Sequence, residues 1–414
     1  DRFTAKILAE AADESKRALA EVKRRRELRF QEAEDAALKE AYEYIHGEVA
    51  RIQSEAGRGV SRHMLENKRA LYLRRTEMAQ EVFALVRAKI AAFTRTPAYG
   101  QRLTALLAEA LAKASGMRRA FFCNSGAEAN ECAIKVARRF GEKMGAYKIV
   151  TLKNSFHGRS FGAVSVTGHT AYREPFEPML PGVSFAEFNN LDSVKALVTD
   201  QTCAIILEPL QGEGGINLAT QEFMEGIRKI CDENDILMIC DEVQCGMGRT
   251  GAMFAWQKFG VKPDILTMAK GIGNGIPVGA FAMTEKVAQA SLKPGDHGAT
   301  YGGNPLACMA VKTVIDIFEE EKIVEHINEV SEYLTERLEE LVQHVDGVLE
   351  RKGTGLMQGI VLKKPAAQVN NRAIEEGLLV IQAQGNVLRL VPPLIIEKEH
   401  VDEMIPKLTK ALTE

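Results

Sequence analysis

MICDEVQCGMGRTGAMFAWQKFGVKPDILTMAK, residues 238–270, places an acid and an amine at the ends of two apolar runs. Ile236, Leu237, Met238 and Ile239 make a short run of the kind that becomes a buried parallel strand, and it stops at Asp241 and Glu242. A second run, Ile265 to Met268, stops at Lys270. Ligands of an open α/β sheet bind just beyond the carboxyl ends of its strands, so these two ends can face one ligand. A buried lysine gives up its proton readily and forms Schiff bases, and a buried carboxylate holds a heteroaromatic ring nitrogen protonated. Two residues alone are weak ground, because a strand-end Asp and a solvent-exposed Lys are the common structural outcome. The motifs around them decide the matter.

The chain has 414 residues, 26% charged and 46% hydrophobic, enough for two or three domains. A net charge of −3 gives no reason to expect nucleic acid as a partner. No run of about 18 apolar residues is present to enter a membrane, and the opening DRFTAKILAEAADESKR has no signal-peptide core, so the cytosol is the expected compartment. The seven cysteines, at 123, 132, 203, 231, 240, 245 and 308, form no C-x-x-C pair. They read as reduced structural thiols, with neither a disulfide framework nor a metal site.

Residues 1–115 differ in kind from the rest of the chain. Only Pro97 of the 13 prolines, and Gly47, Gly57, Gly59 and Gly100 of the 34 glycines, fall there, which predicts long helix. Leu38, Tyr42, Ile45, Val49, Ile52 and Ala56 follow a 4-3-4-3-4 spacing, a seam of period 3.5 that predicts a helical partner for residues 1–60. Lys23, Arg24, Arg25 and Arg26 interrupt the pattern as a solvated face. A second amphipathic stretch runs through Val82, Val86, Ile90 and Phe93 and breaks at Thr96-Pro97. The Lys- and Arg-rich helix, with RHMLENKRALYLRRTEMAQEVFALVRAKI and TPAYGQRLTALLAEAL, resembles the peripheral-stalk E subunit of V-type rotary ATPases. A generic coiled-coil segment shares that overall pattern.

From Ser115 on, glycines and prolines become frequent and strands alternate with helices, the pattern of an α/β fold. Strands are predicted at 119–123, 148–152, 204–207, 237–240 and 265–268, with helices at 128–143, 221–234 and 305–321. Beyond Lys322 a helix and short strands at 359–362 and 387–390 predict a smaller α+β domain. The expected division is 1–115 helical, 116–320 large domain and 321–414 small domain.

Four loops carry further chemistry. Asn124-Ser125-Gly126-Ala127-Glu128 opens a helix with free N–H groups, suited to a phosphate and equally to a simple N-cap. Ser155-Phe156-His157-Gly158-Arg159 offers an aromatic face for a planar ring and a guanidinium for a carboxylate. Glu208-Pro209-Leu210-Gln211-Gly212-Glu213-Gly214-Gly215 sets two carboxylates on a loop whose glycines allow close backbone approach. Gly298-Ala299-Thr300-Tyr301-Gly302-Gly303-Asn304 is another glycine-rich turn before a helix. Gly271-Ile272-Gly273-Asn274-Gly275 lacks the GxGxxG spacing of a dinucleotide site, which leaves a Rossmann dehydrogenase a weak alternative.

Over residues 112–414 the strings SGAEANE, FHGR, EPLQGEGG, DEVQCGMGRTG, the Ala-Lys-Gly around Lys270 and TYGGNP occur together and in order. They resemble the class III, ornithine-aminotransferase-like branch of the fold-type I pyridoxal phosphate enzymes, and LLVIQAQGNVLRLVPPL is most similar to acetylornithine aminotransferases. The resemblance implies a fold-type I large domain with a C-terminal α+β small domain, and pyridoxal 5'-phosphate as cofactor. It implies that Lys270 carries the cofactor and moves the substrate proton, and that Asp241 pairs with the ring nitrogen. Gln244 would bond the ring hydroxyl oxygen, and Ser125, Gly126 and Ala127 the phosphate. Phe156 and Val243 would pack on the two ring faces, and Thr300 would reach the phosphate in a partner subunit, which implies a homodimer. Arg159 would clamp the donor carboxylate and Arg389 that of 2-oxoglutarate, with Ala299 beside the substrate and Glu213 able to neutralise Arg389. The implied reaction moves the ω-amino group of N-acetylornithine to 2-oxoglutarate in two ping-pong halves. Ornithine or 4-aminobutyrate transamination, and a non-enzymatic helical stalk carrying an incomplete aminotransferase, are the alternatives. The segment with which such enzymes usually begin is not recognisable here, and the join is expected near Leu111 to Gly116.

Overall fold

The structure is a computed structural model that describes residues 2–93, 99–293 and 295–413. Ile52, Ala56, Ile90 and Phe93 of the predicted seams lie outside the residues whose side chains are described, and the break at Thr96-Pro97 lies outside the described residues. The chain divides into two compact units, Asp1–Met78 and Ala79–Glu414. Without proline and with abundant Ala, Glu, Lys and Arg, the first unit is helix, part of α1 (Arg2–Phe93). Leu38, Tyr42, Ile45 and Val49 are exposed on it. Ion pairs at helical spacing, Arg25–Glu21 at 3.1 Å and Arg51–Glu48 at 2.7 Å, are also exposed and add little.

In the second unit the alternating pattern becomes a seven-stranded sheet. Its strands are β1 (Arg119–Cys123), β2 (Lys148–Leu152), β3 (Val183–Ala186), β4 (Thr202–Leu207), β5 (Leu237–Asp241), β6 (Ile265–Met268) and β7 (Gly279–Met283). They lie in the order β1-β7-β6-β5-β4-β2-β3. Neighbours from β3 to β6 are parallel, while β7 runs antiparallel to both β6 and β1. Every residue of β4, β5 and β6 is buried, as continuous apolar runs covered on both faces require. Neither β3 nor β7 is marked in the sequence. VSFA is only partly buried at the sheet edge, and GAFAM begins with a glycine in a region rich in turn residues. That glycine has a packing reason, since a Cβ on Gly279 would stand 2.2 Å from the Ser125 carbonyl oxygen.

Two helix boundaries differ from expectation in an informative way. Helix α2 (Tyr99–Ser115) shares the composition of the front segment, yet Leu107 and Leu111 are buried in one core with Ile205, Leu207 and Met238 of the sheet. The composition break at 115 therefore does not coincide with the edge of this core. Helix α3 spans Gly126–Gly141 in place of the expected 128–143, because the Ser125 hydroxyl accepts the Glu128 amide at 3.2 Å and fixes the start. Helices α4 (Gln221–Glu233) and α5 (Pro305–Glu320) stand close to their predicted ranges.

The C-terminal part has a core of its own. Helix α6 (Ile323–His344) precedes β8 (Val348–Thr354), β9 (Met357–Leu362), α7 (Ala366–Glu375), β10 (Ile381–Ala383), β11 (Val387–Leu390) and α8 (Lys398–Thr413). The four strands form an antiparallel sheet in the order β8-β9-β11-β10. Ile327, Leu334, Leu338, Ile360, Leu388 and Leu408 close it against the helices. All seven cysteines are unpaired and buried, and burial pushes the thiols of Cys123, Cys132 and Cys203 up to about 12, out of reach of thiolate chemistry.

At the end of β5, Glu242 turns away from its neighbour Asp241 and accepts the amides of Ala255 and Trp256, the latter at 2.8 Å. Burial pushes its carboxyl up to about 8, against the pull of those two amides. A carboxyl raised in the folded state contributes stability that is complete below its unfolded value and is lost as pH rises through about 8. Thermal unfolding of the wild type should therefore lose midpoint temperature between about pH 5 and about pH 8, and Glu242→Gln should lose less. Equal losses in the two proteins would contradict this role of Glu242.

Candidate active site

The β1–α3 turn, the loop after β2 and the ends of β5 and β6 converge on a cavity of about 640 Å³. Ser125, Gly126, Ala127, Phe156, Arg159, Asp241, Val243, Gln244 and Lys270 all line it. The register of the sheet accounts for this. Asp241 pairs with Thr267 across β5 and β6, so Lys270 follows three positions beyond that pair. Gly126 permits a close approach, since a Cβ there would lie 2.8 Å from both γ-carbons of Val243.

Asp241 is buried and fully engaged from one side. Its Oδ2 accepts from His157 Nδ1 at 2.7 Å and from Asn130 Nδ2 at 2.7 Å, and its Oδ1 accepts the Val243 amide at 3.0 Å. Asn130 is itself held, donating to the His157 carbonyl at 2.7 Å and accepting from the Thr267 hydroxyl at 2.8 Å. Neither Asn130 nor His157 stands out in the sequence, although both lie inside the SGAEANE and FHGR motifs. A polar residue on an apolar helix face, Asn130 among the buried positions of α3, is the signal that would have found the first.

Lys270 departs from expectation. It is exposed at the cavity wall instead of buried, and its φ is +48°, in the left-handed region that costs a side-chain-bearing residue about 1 kcal/mol or more. Strain of this kind persists only where the surroundings fix the backbone, here between strand β6 and the turn after it. Glu208 lines the same cavity and accepts the Phe156 amide at 2.9 Å. Burial pushes its carboxyl up to about 7, with His157 and Lys270 drawing it down and Asp241 raising it.

The two arginines are held differently. Arg159 is exposed, its guanidinium carbon 3.6 Å from the centre of the Tyr172 ring and 5.5 Å from that of Phe156. Arg389, on β11, is buried, and its NH1 donates to Glu213 Oε1 and to Gln244 Oε1, both at 3.0 Å. Glu213 and Arg389 do not line the cavity themselves; Gln244 connects them to it. A Cβ on Gly212 would fall 1.7 Å from Gln244 Oε1, so that glycine clears the space for the bridge. Ala299 and Thr300 are elsewhere, lining a separate surface hollow with Asn124, Glu128, Glu131 and Tyr301.

The aminotransferase class-III profile matches residues 78–412. The chain belongs to the class-III aminotransferase family. It is 44% identical over 311 residues to the acetylornithine aminotransferase of Methanocaldococcus jannaschii, a match covering 74% of this chain and 78% of that protein. The acetylornithine aminotransferase of Pseudomonas putida is 39% identical over 383 residues, covering 89% of this chain and 92% of that protein. A solved amine transaminase from an uncultivated Pseudomonas species, in its PLP-bound form, superposes with a TM-score of 0.73 at 31% identity, covering 79% of this chain and 86% of that one. This class-III aminotransferase thus has the fold-type I architecture expected from its motifs. The extent needs correction, because the family match begins at residue 78, well ahead of the expected join at 111–116.

Proposed function

We propose that this protein is a pyridoxal phosphate-dependent aminotransferase that moves the ω-amino group of N-acetylornithine to 2-oxoglutarate, in two ping-pong halves, within arginine biosynthesis. The observation that carries the reading is the buried Asp241 carboxylate, braced by His157, Asn130 and the Val243 amide on a cavity that Lys270 also lines. The names of the relatives supply the substrate class.

The donor set fits the cofactor. A carboxylate has about four lone-pair sites, and Asp241 uses three, which leaves Oδ1 capacity for one more N–H. The first-turn amides of α3 around Ser125, Gly126 and Ala127 suit a phosphate, and a side chain at Gly126 would collide with Val243. Phe156 and Val243 provide the two apolar faces. Gln244 spends its carbonyl on Arg389, so its amide N–H groups remain to donate to a ring oxygen.

When bound, pyridoxal phosphate supplies an aldehyde for the amine and a protonated ring that accepts the electrons left when a proton departs the substrate carbon. Asp241 holds the proton on the ring nitrogen, and its braces keep the carboxylate from turning away. Lys270 Nζ carries the proton taken from the amine-bearing carbon of the substrate. Arg159 takes the donor carboxylate in its guanidinium fork. Arg389 waits paired with Glu213 during the donor half, so its own charge is matched while an apolar or acetylated chain is bound. A 2-oxo diacid brings a second carboxylate that replaces Glu213. Thr300, facing a separate hollow, serves the phosphate of a partner subunit in a homodimer.

A donor panel tests the substrate. With 2-oxoglutarate as acceptor, kcat/KM for N-acetylornithine should exceed that for ornithine and for 4-aminobutyrate by about tenfold or more, a difference of about 1.4 kcal/mol. Equal or reversed ranking would remove N-acetylornithine from the proposal, and no transamination of any donor would remove the activity. The switch has its own test. Glu213→Gln leaves Arg389 without its counter-charge, so KM for 2-oxoglutarate should fall about three- to tenfold, and an unchanged KM would show that Glu213 does not gate Arg389.

A further inference from the structure

Tyr172 belongs to none of the motifs that define the site, yet it touches the residue on which donor recognition depends. It sits on a short helical turn, Thr170–Arg173, beyond the loop that carries Phe156 and Arg159. Four observations fix it. The Arg159 guanidinium lies over its ring at 3.6 Å, and Phe156 meets it edge-on at 5.9 Å. His169 stacks on it at 4.8 Å with the planes 29° apart. The next residue, Arg173, lies over the Phe185 ring at 3.9 Å, which ties the turn to strand β3.

We propose that the Tyr172 ring is a positioning platform for Arg159, holding its guanidinium flat so that the N–H fork stays in one plane for the carboxylate of the amino donor. The inference rests on the donor-clamp role proposed for Arg159. A stacked guanidinium spends its face on the ring and keeps its in-plane donors free, which an ammonium cannot do. The ion pairs of the described residues leave Arg159 without a carboxylate partner, so the aromatic faces are what restrain it. His169 backs the platform as a neutral ring, since burial holds its imidazole below the usual range, with Glu213 drawing it up and Arg159 pushing it down. Phe156 touches the same ring, so the platform also ties the donor clamp to the aromatic wall of the cavity.

Tyr172→Phe keeps the ring and Tyr172→Leu removes it, with Tyr172→Met as the alternative should the leucine variant fail to fold. The expected result for loss of the ring is a rise of about tenfold in KM for the amino donor and in the inhibition constant of hexanoate, a non-reacting monocarboxylate. The value of kcat should stay within about twofold. Tyr172→Phe should match the wild type. Donor KM unchanged in the ring-less variants, or raised equally in Tyr172→Phe, overturns the platform. A wild type that transaminates no donor overturns the aminotransferase reading instead, so the two failures are distinguishable.

Discussion

The contact on which the site depends is the grip of three donors on Asp241. A carboxylate buried at a strand end is costly unless donors meet it, and here His157, Asn130 and the Val243 amide do so from one side. Each donor arrives on a different element. His157 comes after β2, Asn130 lies on α3, and Val243 comes after β5, so the carboxylate can be satisfied only when the parallel sheet has its register and α3 its position. Thr267 on β6 completes the set by holding Asn130. Folding and site assembly are in this sense one event.

A second polar link joins the seven-stranded part of the second unit to its C-terminal antiparallel sheet. Arg389 lies on the small antiparallel sheet, whereas Glu213 and Gln244 lie on loops beyond strands of the seven-stranded sheet. Gln244 faces the cavity with one end and Arg389 with the other, so whatever occupies Arg389 is felt one residue from the cavity. The two carboxylate sites therefore differ in kind. Arg159 stands exposed on aromatic faces, and Arg389 is buried with a counter-charge that a substrate has to replace. That difference suits a pocket that takes a monocarboxylate end and then a diacid.

Much of this was legible in the sequence where burial writes itself as a continuous apolar run. Strands β4, β5 and β6 announced themselves in that way, and Asp241 and Lys270 were visible as charges at their ends. Strand β3, half-buried at an edge, and β7, opening on a glycine needed for contact with Ser125, leave no such run. Helix α2 carries the composition of the front segment while its Leu107 and Leu111 pack in the sheet core, because composition records helix propensity and not the partner. The exposure of Lys270, the Asn130–His157 brace and the Tyr172 platform all depend on which side chains meet across distant elements. A single sequence does not encode that in spacing.

The most direct measurement is a crystal structure of the protein grown with pyridoxal 5'-phosphate. The ring nitrogen should then lie within hydrogen-bond distance of Asp241 Oδ1, about 2.7–3.0 Å, with the His157 and Asn130 bonds retained and Lys270 Nζ covalently joined to the cofactor. A ring nitrogen facing any group other than Asp241, or a cofactor bound away from Lys270, would contradict the central role given to the braced carboxylate.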